Sequence, residues 1–274
     1  MTPAAVRQES ILRAAVRSVL PPRTRRALRI ALRELPNRLR DALPDFLDRV
    51  RGGVPLPPAG LRMRVGIDSS RKHFDDIGRA AAVDILAILD RSGVDRRTLG
   101  PWLDYGCGCG RVARHLLARG IEVWGVDIDG DAIRWCQEHL SRGRFFTVAP
   151  TPPTQLSEAS FDLIYSVSVF THLDEAAQFA WLAELRRLLR PGGVLVASTH
   201  SPELVYNRPD MALAQHEQLR DHGFAFVGSE GPFNDDSAFH SPAYLQREWS
   251  RYFTMLRHEA AGLVGYQDLS VWRR

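Results

Sequence analysis

The stretch Leu103-Asp104-Tyr105-Gly106-Cys107-Gly108-Cys109-Gly110-Arg111 constrains this chain more than any other. Apolar residues lead into it from Pro101, and Val112 to Arg119 follows with helical spacing. It therefore reads as a turn from a strand into a helix. Its alternating glycines let the backbone turn tightly and let a ligand approach where a Cβ would stand. The helix that opens there aims its free N–H groups at the same point.

Two details of this loop narrow its ligand. The spacing is Gly-x-Gly-x-Gly, whereas dinucleotide sites carry Gly-x-Gly-x-x-Gly. Asp104 stands two positions before Gly106. A carboxylate there repels a pyrophosphate and attracts an ammonium. S-adenosylmethionine carries an ammonium and a sulfonium and no phosphate, so the charges favour it over NAD. The segment Val123-Trp124-Gly125-Val126-Asp127 ends a second strand in an acid, placed to accept both ribose hydroxyls. Asp129 is the expected N-cap of the next helix.

Strands and helices alternate around these motifs. A helix is expected over 74–90, a strand over 101–105 and a helix over 112–119. A strand over 121–126, a helix over 130–140 and strands over 145–148 and 161–167 follow. A helix over 176–189 and a strand over 194–198 complete the run. Such alternation argues for a parallel sheet with helices on both faces. Beyond Thr199 the pattern changes to a helix over 209–219, a strand over 224–227 and a polar loop over 228–241. Ser241-Pro242 then caps a helix through Arg251. Strands over 253–257 and 267–271 read as an antiparallel edge.

In order and spacing, residues from Leu61 onward resemble the class I S-adenosylmethionine-dependent methyltransferases. Asp104-x-Gly106-x-Gly108-x-Gly110 is similar to the family's first motif, and Asp127 to its ribose-binding acid. Phe161 to Ser166 resembles the fourth strand, and Leu189-Arg190-Pro191-Gly192-Gly193 the turn before the fifth. The resemblance implies a Rossmann-like α/β fold. Its seven-stranded, mostly parallel sheet runs 3-2-1-4-5-7-6 with the last strand reversed. It also implies S-adenosyl-L-methionine as cofactor, held by Asp104, Gly106, Cys107, Gly108, Gly110, Asp127, Ile128 and Ser166. One position departs from the family: Val148-Ala149-Pro150 lacks a polar side chain for the adenine amino group, which leaves only the backbone of Ala149 for that contact.

The acceptor belongs beyond the carboxyl ends of the strands, near Ser166, Ser168, Phe170, His172, Thr199 and His200. His240, Tyr244 and the 228–241 loop are expected to cover it. A hydroxyl acceptor needs a base, and the candidates are His172, then His200 and His240. The expected activity is methyl transfer to a small-molecule or glycan acceptor, at oxygen. Alternatives are an NAD-dependent oxidoreductase and a non-catalytic binding module on the same fold. Ser166-Val167-Ser168-Val169 stands where an Asn-Pro-Pro-Tyr-like tetrapeptide would mark amino-group methylation of DNA bases or glutamine.

Charge divides the chain. Residues 1–60 carry 12 Arg against 5 acids, a balance of +7, whereas the net charge of all 274 residues is +4. That segment reads as a basic helical extension with a Pro/Gly linker, and residues 61–274 as the methyltransferase domain. Residues 1–50 are candidates for contact with a protein or a membrane surface; no interleaving of Arg and aromatics suggests a nucleic acid. Arg62 and Arg64 are expected to be exposed. The three cysteines, Cys107, Cys109 and Cys136, suit neither a disulfide framework nor a metal set, so a reduced, cytoplasmic chain is expected.

Overall fold

The structure is a computed structural model and describes residues 54–66, 69–207, 213–228 and 236–274. Residues 1–53 of the expected basic helical extension lie outside these residues, and the compact unit considered below begins at Gly60. Helix α1 (Ala59–Arg64) and the long α2 (Arg71–Arg91) lead into it. Ser70 caps α2 by accepting from the His73 N–H. Then follow β1 (Trp102–Tyr105), α3 (Ala113–Leu117), β2 (Val123–Asp127), α4 (Gly130–His139), β3 (Arg144–Thr147) and β4 (Phe161–Ser166). Helix α5 (Glu175–Leu188) runs directly into β5 (Leu189–Thr199). The remainder comprises α6 (Leu213–His222), β6 (Phe224–Val227), β7 (Ser237–His240), α7 (Pro242–Glu248), β8 (Thr254–Leu263) and β9 (Gln267–Arg273).

The seven-stranded sheet has the order β3-β2-β1-β4-β5-β9-β8, the arrangement that the family resemblance implies. The first five strands pair in parallel, and β9 lies antiparallel to both β5 and β8. All four residues of β1 are buried, as two-sided coverage requires. Adjacent strand residues point to opposite faces, so Leu103 and Tyr105 join a core with Trp181, Leu182, Leu185 and Leu188 of α5, and with Trp249 and Trp272. Helix α2 packs against β8 and β9 through a stripe that includes Ala81, Ile85, Ile88 and Leu89. Truncating Leu182 or Leu185 to alanine removes buried volume worth about 2–5 kcal/mol.

Asp129 and Ser241 cap α4 and α7 as the sequence predicts, each accepting from backbone N–H groups of the first turn. The differences lie elsewhere. The fifth strand starts five residues earlier than expected, because Leu189 pairs with Phe161 across a register shift in β4. Helix α6 runs to His222, three residues beyond the expected end, and the expected residues 209–212 lie outside those described. The largest correction concerns the expected polar loop over 228–241. Ser237–His240 within it form β7, buried throughout and antiparallel to β6 in a separate two-stranded sheet. Phe239 and Ala238 sit in the core, too short an apolar signal to stand out among Gly, Ser, Asp and Asn.

Candidate active site

The glycine loop leaves β1 and turns into α3 at the carboxyl edge of the sheet. Gly106 (φ +77°) and Gly108 (φ +50°) hold left-handed backbone that side chains rarely adopt. A Cβ on Gly106 would stand 2.2 Å from Val169 Cγ2, and one on Gly108 would stand 2.4 Å from Val65 Cγ1. Two segments therefore press on the loop: residue 65, just after α1, and the stretch that leaves β4. Gly110 completes the turn, its N–H donating to the Cys107 carbonyl at 2.9 Å. Cys107 and Cys109 are buried free thiols, and burial pushes both thiols up, away from thiolate reactivity.

Two carboxylates flank this loop. Asp104 is buried and its Oδ2 accepts from the Tyr165 hydroxyl at 2.8 Å. Burial raises its pKa to about 8, against the Tyr165 hydrogen bond; Asp127 adds repulsion and Arg111 some attraction. Such a group lacks a full positive partner, which a bound ammonium supplies. Asp127, at the end of β2, accepts from the Gly108 N–H at 2.6 Å and the Asp129 N–H at 2.8 Å. Each of its oxygens keeps a lone pair for a hydroxyl. Ile128, the next residue, is exposed, as is Ala149 beyond the end of β3. Ser166 ends β4 with its Oγ buried and unpartnered among the described residues. Asp104 beside the glycine turn fits a cationic group and disfavours a pyrophosphate, and Asp127 fits the ribose of any adenosyl ligand.

Of the two arginines expected to be exposed, Arg64 is exposed and Arg62 is not. Arg62 is buried and its Nε donates to the Ser69 carbonyl at 2.8 Å. Arg64 Nη1 lies 2.9 and 2.7 Å from the two Asp129 oxygens, tying α1 to the turn after Asp127.

The second half of the site gathers around β4, β5 and β9. Ser168, just past β4, has left-handed backbone (φ +59°) without being glycine. Its N–H donates to Ser198 Oγ at 2.8 Å, and its hydroxyl lies 3.1 Å from Gln267 Oε1 and 3.0 Å from Gln267 Nε2. Gln267 Nε2 also approaches His200 Nε2 at 3.4 Å, the long limit of a hydrogen bond. The rings of His172 and His200 are 6.4 Å apart and nearly perpendicular, and Tyr266, largely exposed, meets His200 edge-on at 6.0 Å.

His172 is half-buried and its Nδ1 lies 2.7 Å from the Asp236 carbonyl oxygen. A carbonyl only accepts, so Nδ1 of the neutral ring carries the proton and Nε2 keeps a basic lone pair. His240 is placed quite differently. It is fully enclosed, with its ring against Phe224, Tyr244 and Trp249, and Nε2 lies 2.9 Å from Gln178 Oε1. Burial, with His200 adding repulsion, lowers its pKa to about 3, so it stays neutral at working pH. Of the three histidines, the structure brings His172 and His200 together and packs His240 behind them. Asp236, Gln178, Tyr266 and Gln267 were not anticipated. For Gln178 a signal existed: it shares the helical face of Trp181, Leu182 and Leu185, where an amide needs partners.

Residues 103–197 match the family described as a methyltransferase domain. An uncharacterized methyltransferase of Geobacillus kaustophilus is 35% identical over 137 residues, 47% of this chain and 59% of that protein. A malonyl-[acyl-carrier protein] O-methyltransferase of Enterobacter lignolyticus is 33% identical over 100 residues, 35% of this chain and 38% of that protein. The matches thus span about four- to six-tenths of these relatives' length. The crystal structure of the 1,6-didemethyltoxoflavin-N1-methyltransferase of Burkholderia thailandensis, with bound 1,6-didemethyltoxoflavin and S-adenosylhomocysteine, shares the fold. Its TM-score is 0.51 at 20% identity, covering 73% of this chain and 79% of that one.

Proposed function

We propose that this chain, whose residues 103–197 match a methyltransferase domain, is a class I Rossmann-like S-adenosylmethionine-dependent methyltransferase that transfers a methyl group to a hydroxyl oxygen of a small molecule or glycan. The observation that carries the cofactor half is the pair of carboxylates, Asp104 and Asp127, on either side of the glycine loop. Asp104 takes the ammonium of the cofactor, and Asp127 the ribose hydroxyls. Ile128 covers the adenosine, and the Ala149 backbone meets the adenine. Bound there, S-adenosylmethionine supplies a methyl group on a cationic sulfur, and the C–S electron pair stays on sulfur when the methyl leaves.

His172 is the base of this reading. Its Nδ1–H is held by the Asp236 carbonyl, so Nε2 takes the acceptor's hydroxyl proton as the new C–O bond forms. The stretch that carries it packs on the cofactor loop through Val169 and Gly106, which couples the position of the base to that of the cofactor. His200, Ser168 and Gln267 orient the acceptor, and Tyr266 walls it. Alignment of sulfur, methyl and oxygen supplies much of the acceleration in such a displacement.

The test is transfer from methyl-labelled S-adenosylmethionine to a panel of hydroxyl, carboxyl and amino acceptors, with wild type and His172→Gln. The reading expects a labelled methyl ether, formed far more slowly by the variant. Labelled esters alone would contradict the hydroxyl acceptor, labelled amines alone would contradict the choice of oxygen nucleophile, and an undiminished variant would remove His172 as the base.

A further inference from the structure

Gln178 is fully buried on α5. Its Nε2 donates to the Phe170 carbonyl at 3.2 Å and the Leu173 carbonyl at 2.9 Å, the two residues that bracket Thr171 and His172. With both donors so used, Oε1 faces His240 Nε2 and must accept from it. His240 is thereby held as the Nε2–H form, with no partner for Nδ1 among the described residues. Leaving the second ring nitrogen bare in the core costs its desolvation, which the bond from Nε2 to Gln178 does not remove.

Strand β7 repeats the pattern on the backbone. The His240 N–H donates to the His200 carbonyl at 2.9 Å, the Ala238 N–H to the Thr171 carbonyl at 2.8 Å, and the Asp236 carbonyl holds the His172 ring. Every second residue from 236 to 240 therefore grips one of the two chains that bear His172 and His200. The ring of His240 closes the circuit through Gln178 onto the turn that carries His172.

We propose that Gln178 and His240 are positioning residues: a buried amide–imidazole pair that fixes the Phe170–Leu173 turn against β7 and so holds His172 in its Nδ1–H form. This rests on the reading of His172 as the base. The pair touches neither cofactor nor acceptor. It acts by keeping the His172 ring within reach of the Asp236 carbonyl, which leaves Nε2 free for the acceptor proton. Losing the amide lets the turn shift, and both nitrogens of His172 then share the proton.

The test reads the ring directly and needs no acceptor. Long-range proton–nitrogen correlation spectra of the histidine-labelled full chain distinguish the two neutral tautomers. His172 is assigned by its loss in His172→Gln. Wild type is expected to show His172 as Nδ1–H and His240 as Nε2–H. Gln178→Met, similar in volume but without the amide, is expected to give an averaged His172 pattern. His240→Gln keeps an N–H donor and is expected to preserve the wild-type pattern. If Gln178→Met does not fold, His240→Leu against His240→Gln makes the same comparison, with near-ultraviolet circular dichroism verifying the fold.

An unaltered Nδ1–H pattern in folded Gln178→Met or His240→Leu overturns the proposal, as does an averaged pattern in wild type. Failure of the base reading is separate: it appears as undiminished methyl transfer by His172→Gln and leaves these spectra as they are.

Discussion

The two halves of the site are built in opposite ways. The cofactor half is continuous in sequence: Asp104, the glycine loop and Asp127 all come from β1, β2 and the turn after each. The acceptor half is assembled from four separated pieces, at 166–173, 198–200, 236–240 and 266–267. The first is held by backbone geometry and carries charge. The second is held by hydrogen bonds that β7, Asp236 and Gln267 make to separate segments of the chain. Local construction makes a half legible and robust, whereas distributed construction makes it adjustable, since each piece sits on a different element.

That contrast can be broken by showing that damage to one half spreads to the other. The largest effect is expected from His172→Gln. Methyl transfer to a hydroxyl acceptor should fall by about 10²–10⁴-fold, while S-adenosylhomocysteine binding, measured by calorimetry, changes little. A parallel loss of cofactor binding would show that the halves are not separable.

The pH dependence of binding sharpens the cofactor side. Asp104 is protonated below its raised pKa of about 8, and an ammonium ligand needs it ionised. Affinity for S-adenosylhomocysteine should therefore rise with pH up to about 8, by at most about tenfold per unit, with proton release visible as a buffer-dependent enthalpy. For the ligand-free fold the sign is the reverse. The folded state holds a proton on Asp104 that the unfolded chain loses near pH 4. Stability from this group thus declines as pH rises from about 4 to about 8. A flat affinity profile would contradict the isolated state of Asp104.

A smaller effect is expected from Tyr165→Phe. The Tyr165 hydroxyl lowers the Asp104 pKa through its 2.8 Å bond, so its loss should move the binding profile to higher pH and weaken binding several-fold near neutrality. The fold should persist, because the ring still packs on Trp102.

The same contrast explains what was legible beforehand. The parallel sheet and its antiparallel edge followed from alternation and from the late strand pair, whereas the strand order came only from the resemblance to the methyltransferase family. Asp104 and Asp127 were legible because a glycine loop and a strand end leave local marks. Strand β7 was not, since Ser237, Ala238, Phe239 and His240 carry one large apolar residue and lack an alternating pattern, yet all four are buried by pairing with β6. His240 was anticipated in a cover over the acceptor for the same reason. Nothing near Gln267 in sequence marks it as a neighbour of Ser168, because β9 meets β5 only through antiparallel pairing at the sheet's far side. The burial of Arg62 likewise depends on a contact with Ser69 that charge alone does not suggest.

The most direct test of the central claim is calorimetric titration of wild type and Asp104→Ala with S-adenosylmethionine, S-adenosylhomocysteine and NAD. The account predicts binding of both adenosyl ligands by wild type, no binding of NAD, and a loss of about 100-fold or more in the variant, near 3 kcal/mol. Wild-type protein that is folded but binds neither adenosyl ligand, or a variant that binds them undiminished, would contradict it.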